Sequence, residues 1–220
     1  GSASIEDFLR TPLTPQTDFP FAINKRFSQP HTTTLLLTDN FWGKAGLEGY
    51  VIKNAYSSKV IFQIETTVTG VAPLEKTKWL VDTYKIPVAH LDELWTYTAA
   101  YDLYIGKGND RFLTQFEIPL DCIAVKAAVY QGEDTGKKSC VGVHGVWRQR
   151  SAFIFYDSGM IGARQLIAKV SRPDSAANKK TKFGSAPYHV EIAPGVDIAF
   201  IVLCCAALDH AMQMRIDTRS

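Results

Sequence analysis

The chain has 220 residues, enough for one large domain or two small ones. Hydrophobic residues make up 46% of it and charged residues 21%, the balance of a globular protein, which excludes a disordered or fibrous chain. A net charge of +2 gives no electrostatic case for nucleic acid as a partner.

Gly1-Ser2 reads as a cloning scar. Residues 1–31 read as an extended N-terminal arm, punctuated by Pro12, Pro15, Pro20 and Pro30 and laid over the domain by Phe19 and Phe21. From Thr32 onward the period changes to two. TTTLLLT (32–38) reads as a strand. Val60, Phe62 and Ile64 share one face of the next clear strand, Lys59 to Glu65. Ile123, Val125, Ala127 and Val129 alternate likewise, as do Val141, Val143 and Trp147 against His144 and Arg148. Leu166, Ala168 and Val170 alternate against Lys169 and Ser171, and Tyr188, Val190 and Ile192 against His189 and Glu191. Each is the pattern of an antiparallel strand with one face buried. Further strands are expected near 49–54, 78–81, 87–91, 94–105, 112–118 and 150–156. Turn signals stand between them at Asp39-Asn40, 106–110, 132–136 and 157–159. The most polar stretch, Arg172 to Gly184, reads as a loop.

The last element is different. IAFIVLCCAAL (198–208) contains no charge and no side-chain amide. Its Ala, Leu and Cys content suits a helix, and a helix apolar on every side must be buried on every side. This apolar run is too short to span a bilayer, and taken from about 197 to 214 the helix would be ~27 Å long. Asp197 stands where a carboxylate caps the first turn. About a dozen strands and one such helix predict a mainly β fold: a closed antiparallel barrel around a buried C-terminal hydrophobic helix. A barrel of that many strands is too wide for its own side chains to fill. No linker divides 32–220, so a single domain is expected there.

The stretch from His144 to Asp209 resembles the LURP-one-related family, whose fold is like the tubby C-terminal domain and the phospholipid scramblases. HGVW (144–147) followed by RSAFIFY (150–156) resembles its G-x-W strand and the strand after it. LIAKVSR (166–172), FG (183–184), YHVEIAPGVD (188–197) and AFIVLCCAALD (199–209) resemble its closing strands and buried helix. The chain departs from the plant members in a longer middle region and an insert at Ser158 to Ala163. The resemblance implies a twelve-stranded barrel around a central helix. It also implies, by association, the defence role of plant members or the phosphatidylinositol 4,5-bisphosphate binding of the tubby domain.

No GxSxG, HExxH, P-loop or GxGxxG stands in the chain, so a non-enzymatic module is expected, without cofactor or metal. The histidines, including His31 and His90, show no metal spacing. Asp209-His210 reads as a structural tether or as half of an acid–base dyad, and the tether is favoured because neighbours on a helix rarely face each other. Cys122, Cys140, Cys204 and Cys205 read as reduced, which favours a cytoplasmic protein, with a secreted protein whose signal was trimmed as the alternative. Trp42, Trp79, Trp95, Trp147, Tyr97, Tyr101 and Tyr104 are core packing or partner contacts, with core the default.

Basic residues carry the functional expectation. Lys179, Lys180 and Lys182 cluster in the polar loop, and Arg148 and Arg150 flank the turn after Trp147. Lys137-Lys138 and Lys25-Arg26 are further clusters. Converging cations of this kind hold the phosphates of an anionic lipid headgroup. The expected function is therefore phosphoinositide or other anionic-lipid binding at a membrane surface, as an adaptor or regulator. The alternative is a protein-interaction or scaffold module in defence or host–microbe signalling, without lipid binding.

Overall fold

A computed structural model describes residues 5–38, 50–70, 75–94, 99–118, 128–130, 140–159, 164–172 and 187–217. Among the described residues twelve strands precede a long C-terminal helix. The strands are β1 (Thr33–Thr38), β2 (Tyr50–Asn54), β3 (Val60–Thr69), β4 (Glu75–Val81), β5 (Pro87–Leu94), β6 (Ala99–Ile105), β7 (Phe112–Ile118), β8 (Ala128–Tyr130), β9 (Cys140–Val146), β10 (Ser151–Asp157), β11 (Arg164–Ser171) and β12 (Pro187–Ile192). They form one antiparallel sheet in the order β1-β12-β11-β10-β9-β8-β7-β6-β5-β4-β3-β2. β1 also pairs with β2, through Leu35 with Asn54 and Leu36 with Lys53. β8 pairs with β9 through Val129 with Val141 and Tyr130 with Cys140.

The expected alternation is present. Leu35, Leu37, Ile52, Phe62, Ile64, Leu80, Leu91, Leu103, Phe116, Val141, Val143, Ile154, Ala168, Val170, Val190 and Ile192 are all buried, and they line one core with the helix. The expected strand 94–105 is instead the end of β5 and the whole of β6, which pair antiparallel through Leu94 and Ala100, with 95–98 outside the described residues. Of the expected strand 123–129, residues 123–127 lie outside the described residues.

The helix is α2 (Ile198–Asp217), which starts one residue and ends three residues later than expected. Every residue from Ile198 to Ala211 is buried, as an all-round apolar helix requires. No helix among the described residues is long and apolar enough to cross a membrane.

The arm is less extended than expected. It begins with a short helix, α1 (Ile5–Arg10), and includes a 3-10 turn, Lys25–Phe27. Phe19 and Phe21 do not merely lie over the domain. They enter its core beside Phe200, Phe21 stacked on that ring at 5.2 Å and Phe19 edge-on at 5.6 Å. Asp197 fastens both parts. One carboxylate oxygen accepts from the Phe200 amide at 3.0 Å, capping α2, while the other accepts from the amides of Ile23 at 2.7 Å and Asn24 at 3.0 Å. The arm also crosses Gly195 at φ +78, where an added Cβ would fall 1.8 Å from the carbonyl oxygen of Gln16. Only glycine fits that crossing.

Ala206 has no exposed surface, so Ala206→Asp would place an unpaired charge in the core at a cost of several kcal/mol, comparable to the whole stability of ~5–15 kcal/mol. We expect the variant to lose its cooperative melting transition, as read by circular dichroism. A soluble, cooperatively melting variant would remove the buried-helix assignment.

Candidate functional site

The chain direction gives the molecule two ends. The hairpin loops 55–59 and 82–86, the 3-10 turn Lys25–Phe27 and the start of α2 share one end. The C-terminal half of α2 points to the other.

At the first end the two hairpins repeat one design. Asn54 closes its loop by accepting on its side-chain oxygen from the amides of Tyr56 and Ser57, both at 3.0 Å. Asp82 does the same for Tyr84 at 2.9 Å and Ile86 at 3.0 Å. Such Asx turns are the reason that Asn and Asp favour these positions. Each loop then needs one residue with positive φ, Ser58 at 58° and Lys85 at 63°. Each presents a tyrosine two residues after its Asx residue, Tyr56 at 85% exposed and Tyr84 at 80%. Ile86 and Val60 are also exposed there.

Between these loops lies a cleft of about 320 Å³, lined by Arg26, Phe27, Asn54, Ser57, Lys59, Phe62, Asp82 and Tyr84 among others. Arg26 donates to Asp82 at 3.2 Å and covers the Phe27 ring at 4.7 Å. Desolvation pulls the Asp82 carboxyl upward, but the amides of Ile86 and Tyr84 and the guanidinium of Arg26 outweigh it and hold it below the ordinary range. Lys25, Lys53, Lys59 and Lys85 are exposed around the cleft end. Sequence reading singled out Lys25 and Arg26 here but missed the hairpin tips. The shared pattern Asn54-x-Tyr56 and Asp82-x-Tyr84 was the available signal.

Of the expected lipid-binding residues, the structure describes only Arg148 and Arg150. Lys179, Lys180 and Lys182 lie outside the described residues, as do Lys137, Lys138, Cys122, Trp42, Trp95 and Tyr97. Arg148 is exposed. Arg150 is a correction: it is buried and faces inward, so it offers no cation to a lipid phosphate. The chain turns at Gly145 (φ +109), passes through the 3-10 turn Trp147–Gln149, and reverses at Arg150 itself, which is left-handed at φ 55°. That reversal sends the guanidinium to the Asp209 carboxylate at 2.5 Å, with the Tyr188 ring 4.0 Å below it.

Asp209 is the centre of this buried cluster. Its Oδ1 accepts from Trp147 Nε1 at 2.8 Å and from Arg150, and its Oδ2 from the Tyr188 hydroxyl at 2.7 Å. Burial pushes its carboxyl up, opposed by Arg150 and by the Tyr188 and Trp147 donors. The tether reading of Asp209 stands, although the residue lies inside α2 rather than at its end. His210 points elsewhere. Its Nδ1 is 2.5 Å from the Tyr101 hydroxyl, and its Nε2 is 3.8 Å from Glu93. Burial, then Lys78 and Lys76, lower its ring to about 3, so it is neutral.

Two aromatics expected in the core by default stand on the outer wall. Trp79, His90, Tyr104 and Phe112 face one another across β4 to β7, with centroids 4.6, 5.2 and 5.6 Å apart. Tyr101 and Trp147 are core. Among the described residues no group of His, Cys, Asp and Glu is placed to hold a metal ion, and Cys140, Cys204 and Cys205 are free.

Removing one partner of a buried ion pair strands the other, at about 3–5 kcal/mol. We therefore expect Asp209→Leu and Arg150→Met each to lose that much in urea unfolding. The double variant should lose less than the sum of the two, by about 1 kcal/mol or more. Additive losses would show that the pair is not coupled.

No curated protein and no solved structure matches this chain. The sequence profile described as LURP-one-related matches residues 33–209, from the first strand to the Asp209 anchor. The chain belongs to the LURP-one-related family.

Proposed function

We propose that this protein is a non-enzymatic binding module that docks on anionic lipid headgroups, phosphoinositides included, as a peripheral adaptor or regulator at a cytoplasmic membrane surface. The supporting observation is the hairpin end. It combines exposed Tyr56, Tyr84 and Ile86 with Lys25, Arg26, Lys53, Lys59 and Lys85 around one cleft. Tyrosine suits the water–hydrocarbon boundary, since its ring is apolar and its hydroxyl wet. Each cation near an anionic surface adds about 1 kcal/mol.

Liposome co-sedimentation tests this with phosphoinositide-containing, phosphatidylserine-only and neutral vesicles at low and physiological salt. Binding to the anionic vesicles alone is expected. The variant Lys25→Ala/Lys59→Ala/Tyr56→Ser/Tyr84→Ser should lose at least tenfold in affinity, and more than Lys179→Ala/Lys180→Ala/Lys182→Ala loses. No binding to any vesicle would overturn the lipid reading. An effect confined to the second variant would move the site to the loop.

The outer row Trp79–His90–Tyr104–Phe112 favours the second reading, a protein-interaction or scaffold module. Phe112 at its end is 56% exposed, and an exposed aromatic marks a contact surface. Loss of a partner with Phe112→Ser, with vesicle binding unchanged, would select it.

We further infer that the ring of strand pairings closes as a tubby-like barrel in solution. The pairing of β1 with both β12 and β2 supports this. Hydrogen exchange tests it at the Ala55 amide, which donates to the Thr34 carbonyl at 2.9 Å across that seam. Protection approaching that of the β1–β12 ladder is expected. Exchange at the free-peptide rate would leave the sheet open there.

A further inference from the structure

The outer face of the sheet from β3 to β7 has a charge pattern of its own. Two complete registers cross it. One runs Glu65, Trp79, His90, Tyr104 and Phe112, and the next runs Thr67, Thr77, Asp92, Asp102 and Gln115. Neither contains a lysine or an arginine, although the chain carries a net charge of +2. Glu117, opposite Ala100, extends the acidic side. Lys85, Lys107 and Arg111 belong to the tip loops, outside both registers, and Lys85 reaches only the row nearer the tips, where it donates to Gln63. Lys76 and Lys78 alternate onto the other face of β4. Phe112 and Glu65 are exposed, and Trp79, Tyr104, Asp92 and Asp102 are half-buried.

We propose that this outer wall docks an extended, arginine-rich segment of another protein, whose guanidinium groups lie against the Trp79–Tyr104–Phe112 row and pair with Asp92 and Asp102. The proposal rests on the second reading above, in which the aromatic row is a contact surface, and it adds the chemistry of the partner.

Charge complementarity identifies the partner. Asp92 and Asp102 stand directly opposite each other across β5 and β6, where like charges weaken a sheet. Asp92 accepts from the Thr77 hydroxyl and Asp102 from the Gln115 amide, both at 2.9 Å. These neutral donors orient the carboxylates without cancelling their charge, so an incoming cation relieves the repulsion. The negative field also reaches the ring row. Desolvation first, and then Asp102 and Asp92, raise the Tyr104 hydroxyl. The row itself is a fixed platform. His90 is 1% exposed, with Nδ1 2.8 Å from the Gly106 carbonyl oxygen and Nε2 2.9 Å from Asn109 Oδ1, and it packs against Trp79 on one side and Tyr104 on the other. A planar guanidinium both stacks on aromatic rings and bonds carboxylates in pairs, which suits a wall where a ring row borders a carboxylate row. Five strands at ~4.8 Å spacing span ~19 Å, the length of about six extended residues, so a peptide segment matches the wall better than a single small cation.

Fluorescence anisotropy with the whole protein tests this, using labelled peptides that alternate arginine with serine, citrulline with serine, or leucine with serine. The arginine peptide is expected to bind at least tenfold tighter than the citrulline peptide, with an affinity that falls as salt rises. Asp92→Asn/Asp102→Asn, which keeps the shape of the wall, should weaken it at least fivefold, and Phe112→Ser at least threefold. Glu6→Gln/Asp18→Asn removes the same charge from exposed positions of the arm and should change it less than twofold. An arginine peptide that binds no tighter than the citrulline peptide, or that loses as much in the arm variant as in the wall variant, overturns the proposal. Leucine-peptide binding that equals arginine-peptide binding and is lost in Phe112→Ser would keep the contact surface and overturn its basic partner alone. If Phe112→Ser weakens no peptide, the contact surface falls as well. Sedimentation velocity of the protein alone covers the other occupant: a dimer at low salt that Asp92→Asn/Asp102→Asn abolishes would give the wall to the cationic tips of a second copy and overturn the assignment to another protein.

Discussion

A helix without a polar face imposes one requirement on everything around it: each of its sides must meet apolar atoms. Fourteen consecutive buried residues, from Ile198 to Ala211, meet that requirement because the apolar faces of the described strands and the arm pack against them. The inward residues of the sheet therefore face the helix rather than one another. The strands need no second layer, and their outer faces are released for surface chemistry. The position of each functional feature follows from this geometry. The hairpin tips rise at the end where the helix starts, and the ionic groups gather at the end where it leaves.

The helix is not sealed by strands alone. Its first turn would leave amides uncapped, and Asp197 meets that need while also accepting two amides from the arm. Burial raises the Asp197 carboxyl, and those backbone donors pull it back. The arm and the helix are thus held by one carboxylate, and Phe19 and Phe21 close the opening above Phe200. At the far end Asp209 and His210 point to opposite walls. Two adjacent polar residues anchor the helix against two different parts of the sheet.

Much of this was legible in the sequence. The uninterrupted run 198–208 could only be a buried helix, the alternation gave the strands, and the position of Asp197 before the first turn gave the cap. The failures have a common cause. Period-two reasoning assigns a face to a residue inside a strand, but not to one at a reversal. Arg150 sits at such a reversal in a left-handed conformation, so its neighbours in sequence did not reveal that it faces inward. Trp79 and Tyr104 fit core packing or partner contact by type, and only the structure shows them stacked with His90 along the outer wall. Tyr56 and Tyr84 were invisible because a loop has no period. Only the repeated Asx residue before each marks them.

The order of elements along the chain has a consequence for synthesis. All twelve strands precede α2, so a ribosome delivers the wall before the core that it must enclose. Until residues 198–211 emerge, the inward faces of the strands have nothing to pack on, and their edges stand open to other chains. Most strands can pair with the one just made, but β1 must wait for β12, more than 150 residues later. Assembly is therefore postponed until α2 has emerged. A nascent chain stalled before α2 would be a substrate for chaperones, however completely its strands had been made.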